Sequence, residues 1–115
     1  MEVTHNNKVL AKKVKCYTNI FSKSLGLRFA KPLEKGQALI LAAEKESISE
    51  TMIDMLFVFF PIDVLWLNER KEVVDIKKSV KPFTPLLIPK KPAKYVIELK
   101  AGSTDNIIIG DRLRF

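Results

Sequence analysis

The chain has 115 residues, 47% of them hydrophobic and 29% charged, with a formal net charge of +7. That is enough for one domain around one core without disulfides or metal, and too apolar for a disordered chain. With one histidine, one cysteine and four scattered glycines, an intramolecular disulfide is excluded, and neither a zinc site nor a glycine-rich phosphate cradle is expected.

The chain is expected to form a single domain over residues 1–115, soluble and cytoplasmic. Its first fifteen residues, MEVTHNNKVLAKKVK, contain no apolar run of the kind a secretion signal needs. Residues 8–17, KVLAKKVKCY, read as an opening strand. TNIFSKSLG, at 18–26, reads as a short helix, with Thr18 as cap, Phe21 and Leu25 one turn apart, and Gly26 as the stop. A connection follows, carrying Pro32 and a turn at Gly36, and then QALILAA as a strand and EKESISET as a polar loop.

MLFVFFPIDVLWLN, at 55–68, is the most apolar stretch. Asp54 and Asp63 bound its uncharged centre and Pro61 interrupts it. It falls far short of the roughly 20 apolar residues of a membrane-spanning helix, so no membrane partner is expected. It reads as two strands, 55–59 and 62–67, broken by a proline that cannot donate a ladder hydrogen bond. In the second, Ile62, Val64 and Trp66 face one way and Asp63, Leu65 and Leu67 the other. Both faces are apolar, so this strand should be central. NERK turns the chain into EVVDIKK as a hairpin. Pro82, Pro85, Pro89 and Pro92 mark an irregular crossover, although their spacing also fits a polyproline ligand. KYVIELK is the next strand, with Tyr95, Ile97 and Leu99 inward and Lys94, Glu98 and Lys100 outward. AGSTDN is a turn, and IIIGDRLRF closes the chain as two short strands about Gly110-Asp111. These elements predict a mainly β, compact sandwich- or barrel-like fold with one or two short helices.

Several of these segments, in this order and spacing, resemble a prokaryotic family catalogued as domain of unknown function 192. The resemblance rests on MLFVF, on Pro61-Ile62-Asp63, on Val96 to Leu99 followed by Ala101-Gly102, on Gly110-Asp111, and upstream on Gly26-Leu27. The chain departs from the family pattern in two places. The family's usual Met and Arg fall at Arg28 and Ala30, and Phe59-Phe60 stands where a Met-Lys-Asn-Thr stretch is common. The resemblance implies a compact β-rich fold and no particular activity.

Chemistry is sparsely supported. A nucleophilic Cys16 or serine would have to use His5, the sole histidine, near the N-terminus. No catalytic residues, no metal and no cofactor are therefore expected. Asp63, Glu98 and Asp111 remain as a candidate polar site, each with a structural alternative: pairing with a cation, bridging to Lys94 or Lys100, or holding a turn. The lysines, among them Lys12, Lys13 and Lys15 and especially Lys77, Lys78, Lys81, Lys90, Lys91 and Lys94, form a candidate basic surface if the fold gathers them on one face. The expected function is binding of a ligand or protein partner without catalysis. The alternatives are a basic nucleic-acid-binding module and a carboxylate-dependent hydrolase.

Overall fold

The computed structural model describes residues 1–18 and 26–115. The predicted helix at 18–26 lies almost wholly outside the described residues. The described residues are mainly β, 47% strand and 3% helix, in two sheets. Strands β1 (Val3–His5), β2 (Lys8–Ala11) and β8 (Leu113–Arg114) form a small sheet in the order β2-β1-β8. Strands β3 (Lys13–Tyr17), β4 (Gln37–Ser47), β5 (Ile62–Leu67), β6 (Val73–Val80) and β7 (Ala93–Lys100) form the large one, in the order β3-β4-β7-β5-β6. Among the described residues, no helix is long and apolar enough to cross a membrane.

The opening stretch at 8–17 is two strands, not one. The chain crosses from the small sheet to the large one at Lys12, where the N–H groups of Lys12 and Lys13 both donate to the Gly36 carbonyl. Strand β1 was not anticipated. It is joined to β2 by Asn6 and Asn7, both at positive φ (50° and 64°), the geometry of a tight hairpin turn that asparagine tolerates.

β5 is buried at every position because each face of the large sheet is covered. On one face, Leu65, Leu67, Ile97 and Leu99 pack with Val3, Ala11 and Leu113 of the small sheet. On the other, Ile62, Val64, Trp66 and Val96 pack beneath connecting segments that contribute Leu27, Met55, Val58, Phe60 and Leu87. One core layer is thus sheet against sheet, and the other is sheet against loops.

Four local expectations change. Residues 55–59 are not a strand: Val58 N–H donates back to the Met55 carbonyl, and Phe57 has φ of 59°. Met55, Val58 and Phe60 point into the core, while Leu56, Phe57 and Phe59 stay exposed. The polar stretch after β4 is partly strand, since β4 runs to Ser47 before a 3-10 turn at Ser49–Thr51. Val96 and Glu98 are buried, because β7 lies inside the large sheet and the loops that carry Leu27, Met55 and Val58 cover this face. At the C-terminal end only Leu113–Arg114 is a strand, and residues 109–110 are turn. The proline-rich crossover is irregular and is tied down twice. Ile53 and Leu87 exchange backbone hydrogen bonds, and Lys90 N–H donates to the buried Asp75 carboxylate at 3.0 Å.

Candidate functional site

The loop-covered face of the large sheet is not completely filled. A cavity of about 340 Å³ lies between β4, β7 and the segments at 26–28 and 49–58. Its walls are mostly apolar: Leu27, Leu41, Ala43, Met52, Ile53, Met55, Val58 and Val96. A volume of this size suits a small ligand. It exists because loop side chains cover the sheet on this side, and they fill space less regularly than a second sheet would.

Glu98 is the polar group in the sheet wall of this cavity. It lies on β7, with Leu39 beside it on β4 and Val64 on β5, so its carboxyl shares a face with the apolar core. The residue is 5% exposed. Burial, and then the negative charge of Asp54, push its pKa up to about 7. Among the described residues, nothing donates a hydrogen bond to this carboxyl. Asp54 stands at the loop side of the cavity. Arg28 Nη2 donates to both of its carboxylate oxygens, at 2.9 and 2.7 Å, and Leu56 N–H donates to Oδ1 at 2.9 Å. The cavity therefore combines apolar walls, a fixed Arg28–Asp54 ion pair and a carboxyl whose charge changes near neutrality.

This arrangement makes stability depend on pH. The Glu98 pKa is raised in the folded state, from an ordinary value of 4.5 to about 7. The folded protein therefore holds its proton more tightly than the unfolded chain does. Stability is greatest below about pH 4.5 with respect to this group, and falls as pH rises to about 7. The loss is at most about 3–4 kcal/mol, since one pKa unit is worth about 1.4 kcal/mol. Glu98→Gln should remove this slope and stabilise the protein at pH 7.5. Urea melts of both proteins across this range check it.

The three carboxylates expected as a polar site lie in separate places. Asp63 and Glu98 are on opposite faces of the large sheet, since Val64, not Asp63, is paired with Glu98. Asp63 is fully buried and accepts hydrogen bonds from Ser79, Gly102 and Thr104. Asp111 is near the far end of β5. Its Oδ2 accepts Ile108 N–H at 3.1 Å and lies 2.8 Å from His5 Nε2. The Ile108 hydrogen bond, followed by His5, lowers its pKa. Only Glu98 faces a cavity. Its partners there, Arg28 and Asp54, are not recognisable from spacing, because long-range loop packing brings them to β7.

The lysines do not form one stripe. Lys13 and Lys15 are on β3, and Lys77 and Lys78 on β6, at opposite edges of the large sheet. Lysine on a free edge discourages pairing with another chain. Lys81, Lys90 and Lys91 are exposed along the crossover, and Lys94 is half-buried at the start of β7. A second hollow, of about 680 Å³, borders the β1–β2 turn and residues 102–107. None of the Asp, Lys or His side chains lining it is buried. Among the described residues, no three His, Cys, Asp or Glu side chains gather as a metal-binding group.

The fold and its buried features can be set beside known proteins. A UPF0127 protein of Pyrococcus furiosus is 36% identical over 99 residues, covering 84% of this chain and 81% of its own. A Novosphingobium aromaticivorans protein of unknown function has the same fold, with a TM-score of 0.87 at 18% identity, over 99% of this chain and 82% of its own. A Sinorhizobium meliloti protein, provisionally described as a transcription regulator, gives a TM-score of 0.82 at 20% identity, over 88% and 79% of the two chains. At such identities these two likenesses concern the fold alone. Residues 1–115 match the family DUF192, described as "Uncharacterized ACR". The structure gives a physical reason for part of that pattern: the aspartate of Pro61-Ile62-Asp63 binds the backbone of Gly102, joining two of the segments on which the resemblance rests. With the whole chain matched and an archaeal relative more than one-third identical, the protein belongs to the DUF192 family.

Proposed function

We propose that this protein is a binding domain whose cavity receives a small amphipathic ligand with a cationic or hydrogen-bond-donating head. The observation that carries this reading is Glu98: a buried carboxyl in an apolar cavity, with its pKa near 7 and no hydrogen-bond donor among the described residues. A carboxyl held among apolar walls gains free energy from a hydrogen-bond donor or cation that a ligand brings to it. Among the described residues that line the cavity, Glu50 and Asp54 stand beside one cation, Arg28, and add to a field that favours a positive head. We place the protein in the cytoplasm, a reading supported by its single, exposed cysteine, Cys16.

The test uses octylammonium, octanol and octanoate as probes, followed by calorimetry. Octylammonium should bind best. At pH 6 its binding should release a proton, because a cation beside Glu98 favours the ionised carboxylate. The proton appears as a dependence of the measured heat on the buffer's ionisation enthalpy, and it should vanish in Glu98→Gln. Failure of all three probes to bind would remove this reading.

A second reading, carboxylate-dependent hydrolysis, draws on one observation. Glu98 is held near neutrality while Asp54, ion-paired with Arg28, lies close enough to shift it. Two carboxyl groups in one cavity, one of them raised to about 7, are the groups that acid–base chemistry needs.

A further inference from the structure

Four phenylalanines gather on the surface outside the cavity. Phe29 stacks on Phe57 with centroids 4.8 Å apart, Phe57 meets Phe83 edge-on at 6.0 Å, Phe83 meets Phe59 edge-on at 5.0 Å, and Phe59 returns to Phe29 at 6.4 Å. Phe29 is 73% exposed and Phe59 62%. Exposed Leu56, Leu86 and Ile88 occupy the same segments. An apolar cluster of this kind on a small domain calls for a partner.

The cluster is built into the backbone. Phe29, Phe57 and Phe83 all have positive φ, between 59° and 62°, a conformation that costs energy for a bulky residue. Hydrogen bonds hold it in place: Phe29 N–H donates to the Phe57 carbonyl, Phe83 N–H to the Met55 carbonyl, and Met55 N–H to the Thr84 carbonyl. Three separate segments are thereby locked into one platform, with the rings outside and Leu27, Met55 and Val58 inside.

The segments that carry the platform are themselves basic, with Glu34 and Asp54 at their borders. Residues 26–33, 55–61 and 81–91 include Arg28, Lys31, Lys81, Lys90 and Lys91, and no acidic residue. Arg28 is paired with Asp54, which leaves four lysines on these segments. A second copy of the chain would bring like charges together. Single-stranded nucleic acid is bound by rings that each stack on a base beside hydrogen-bonding side chains, whereas Phe29 and Phe57 stack on each other. Apart from the lysines, the segments offer phenylalanine, leucine, isoleucine and proline, with little directional hydrogen bonding. We propose that this platform docks on an anionic lipid surface, with Phe29 and Phe59 entering the acyl boundary and the lysines meeting the headgroups. The sequence reading expects no membrane partner, and the proposal departs from it: surface attachment needs no span, only a rigid apolar tip and a basic rim. The proposal does not rest on the ligand reading of the cavity, since the rings and Glu98 lie on opposite sides of the loop layer.

Flotation of the full chain with vesicles tests it, using phosphatidylcholine alone or mixed with phosphatidylglycerol. The protein should float with the mixed vesicles, not with phosphatidylcholine alone, and should do so less as salt is added. Phe29→Asn with Phe59→Ser should weaken partitioning by about tenfold or more, the effect of withdrawing a phenylalanine side chain from an apolar phase. Asparagine is chosen at 29 because it tolerates positive φ. Lys31→Glu with Lys81→Glu, both exposed sites, should weaken it comparably, and thermal melts should show both variants folded. The proposal is overturned if the chain fails to float with mixed vesicles at low salt, or if the phenylalanine pair can be changed without effect. Sedimentation showing a dimer that the phenylalanine variant abolishes, or single-stranded DNA binding lost in that variant, would also overturn it.

Discussion

Trp66→Ala should destabilise the protein by about 3–5 kcal/mol, the usual cost of removing a large aromatic side chain from a core. Trp66 is fully buried in the layer between the large sheet and the loops. Its indole Nε1–H donates to the Thr51 carbonyl at 2.8 Å. The substitution therefore opens a cavity and also strips a buried carbonyl of its donor. Trp66→Phe separates the two effects: it keeps most of the ring and should cost about 1 kcal/mol for the hydrogen bond, plus a smaller packing loss. Urea melts of the three proteins measure this. Indole emission from the native protein should be that of a buried ring, shifting to the exposed maximum on unfolding. A near-neutral Trp66→Ala would mean that the loop layer can collapse onto the sheet. Because Thr51 lines the cavity, Trp66→Ala should also loosen that wall and weaken any ligand held by Glu98.

The sequence made the large sheet legible wherever both sides of a strand are apolar. IDVLWL announces a central strand because no register could expose it without exposing hydrophobic surface. Its in-and-out assignment holds: Ile62, Val64 and Trp66 lie in one core layer, and Leu65 and Leu67 in the other. MLFVF misled for a related reason. Its composition is that of a buried strand, yet the chain turns at Phe57 and presents three of these side chains, Leu56, Phe57 and Phe59, to solvent. Hydrophobicity alone cannot distinguish a residue that hides from one kept outside. Glu98 shows the converse. Alternation with lysines at 94 and 100 suggested a solvent face, but β4 and β5 flank β7, and the loops at 26–33 and 51–60 cover it. Neither local pattern nor spacing encodes that covering. The same holds for Asp54, placed next to Arg28 only by the meeting of two loops distant in sequence. The elements were readable because their periodicity is local; the cavity was not, because it is made where unrelated segments meet.

Asp63→Ala should cost about 3–5 kcal/mol, placing it among the most damaging polar substitutions available in this chain. Asp63 is 0% exposed on an apolar strand face, where an unpartnered charge would be prohibitive. It has four donors instead. Oδ1 accepts Ser79 N–H at 2.8 Å, while Oδ2 accepts Gly102 N–H and Thr104 N–H, each at 3.1 Å, and the Thr104 hydroxyl at 2.7 Å. One carboxylate thus fastens β5 to the end of β6 and to the turn after β7, where Gly102 has φ of 92°. Hydrogen bonds to an ionised group are worth more than neutral ones, and removing the acceptor leaves four donors without it. Asp63→Asn is the sharper test. The amide retains one acceptor oxygen, which can occupy the Oδ2 position and keep three contacts. Its NH2 then faces the Ser79 N–H, donor against donor. A loss of about 1–3 kcal/mol is expected for this variant, and Thr104→Val should lose about 1 kcal/mol by removing the hydroxyl alone. Equilibrium unfolding of the three variants should rank them in that order: alanine, asparagine, then the threonine change. If Asp63→Asn proved as stable as the native protein, the Ser79 contact would carry no weight, and the fastening of β5 would have to rest on the turn at 102–104 alone.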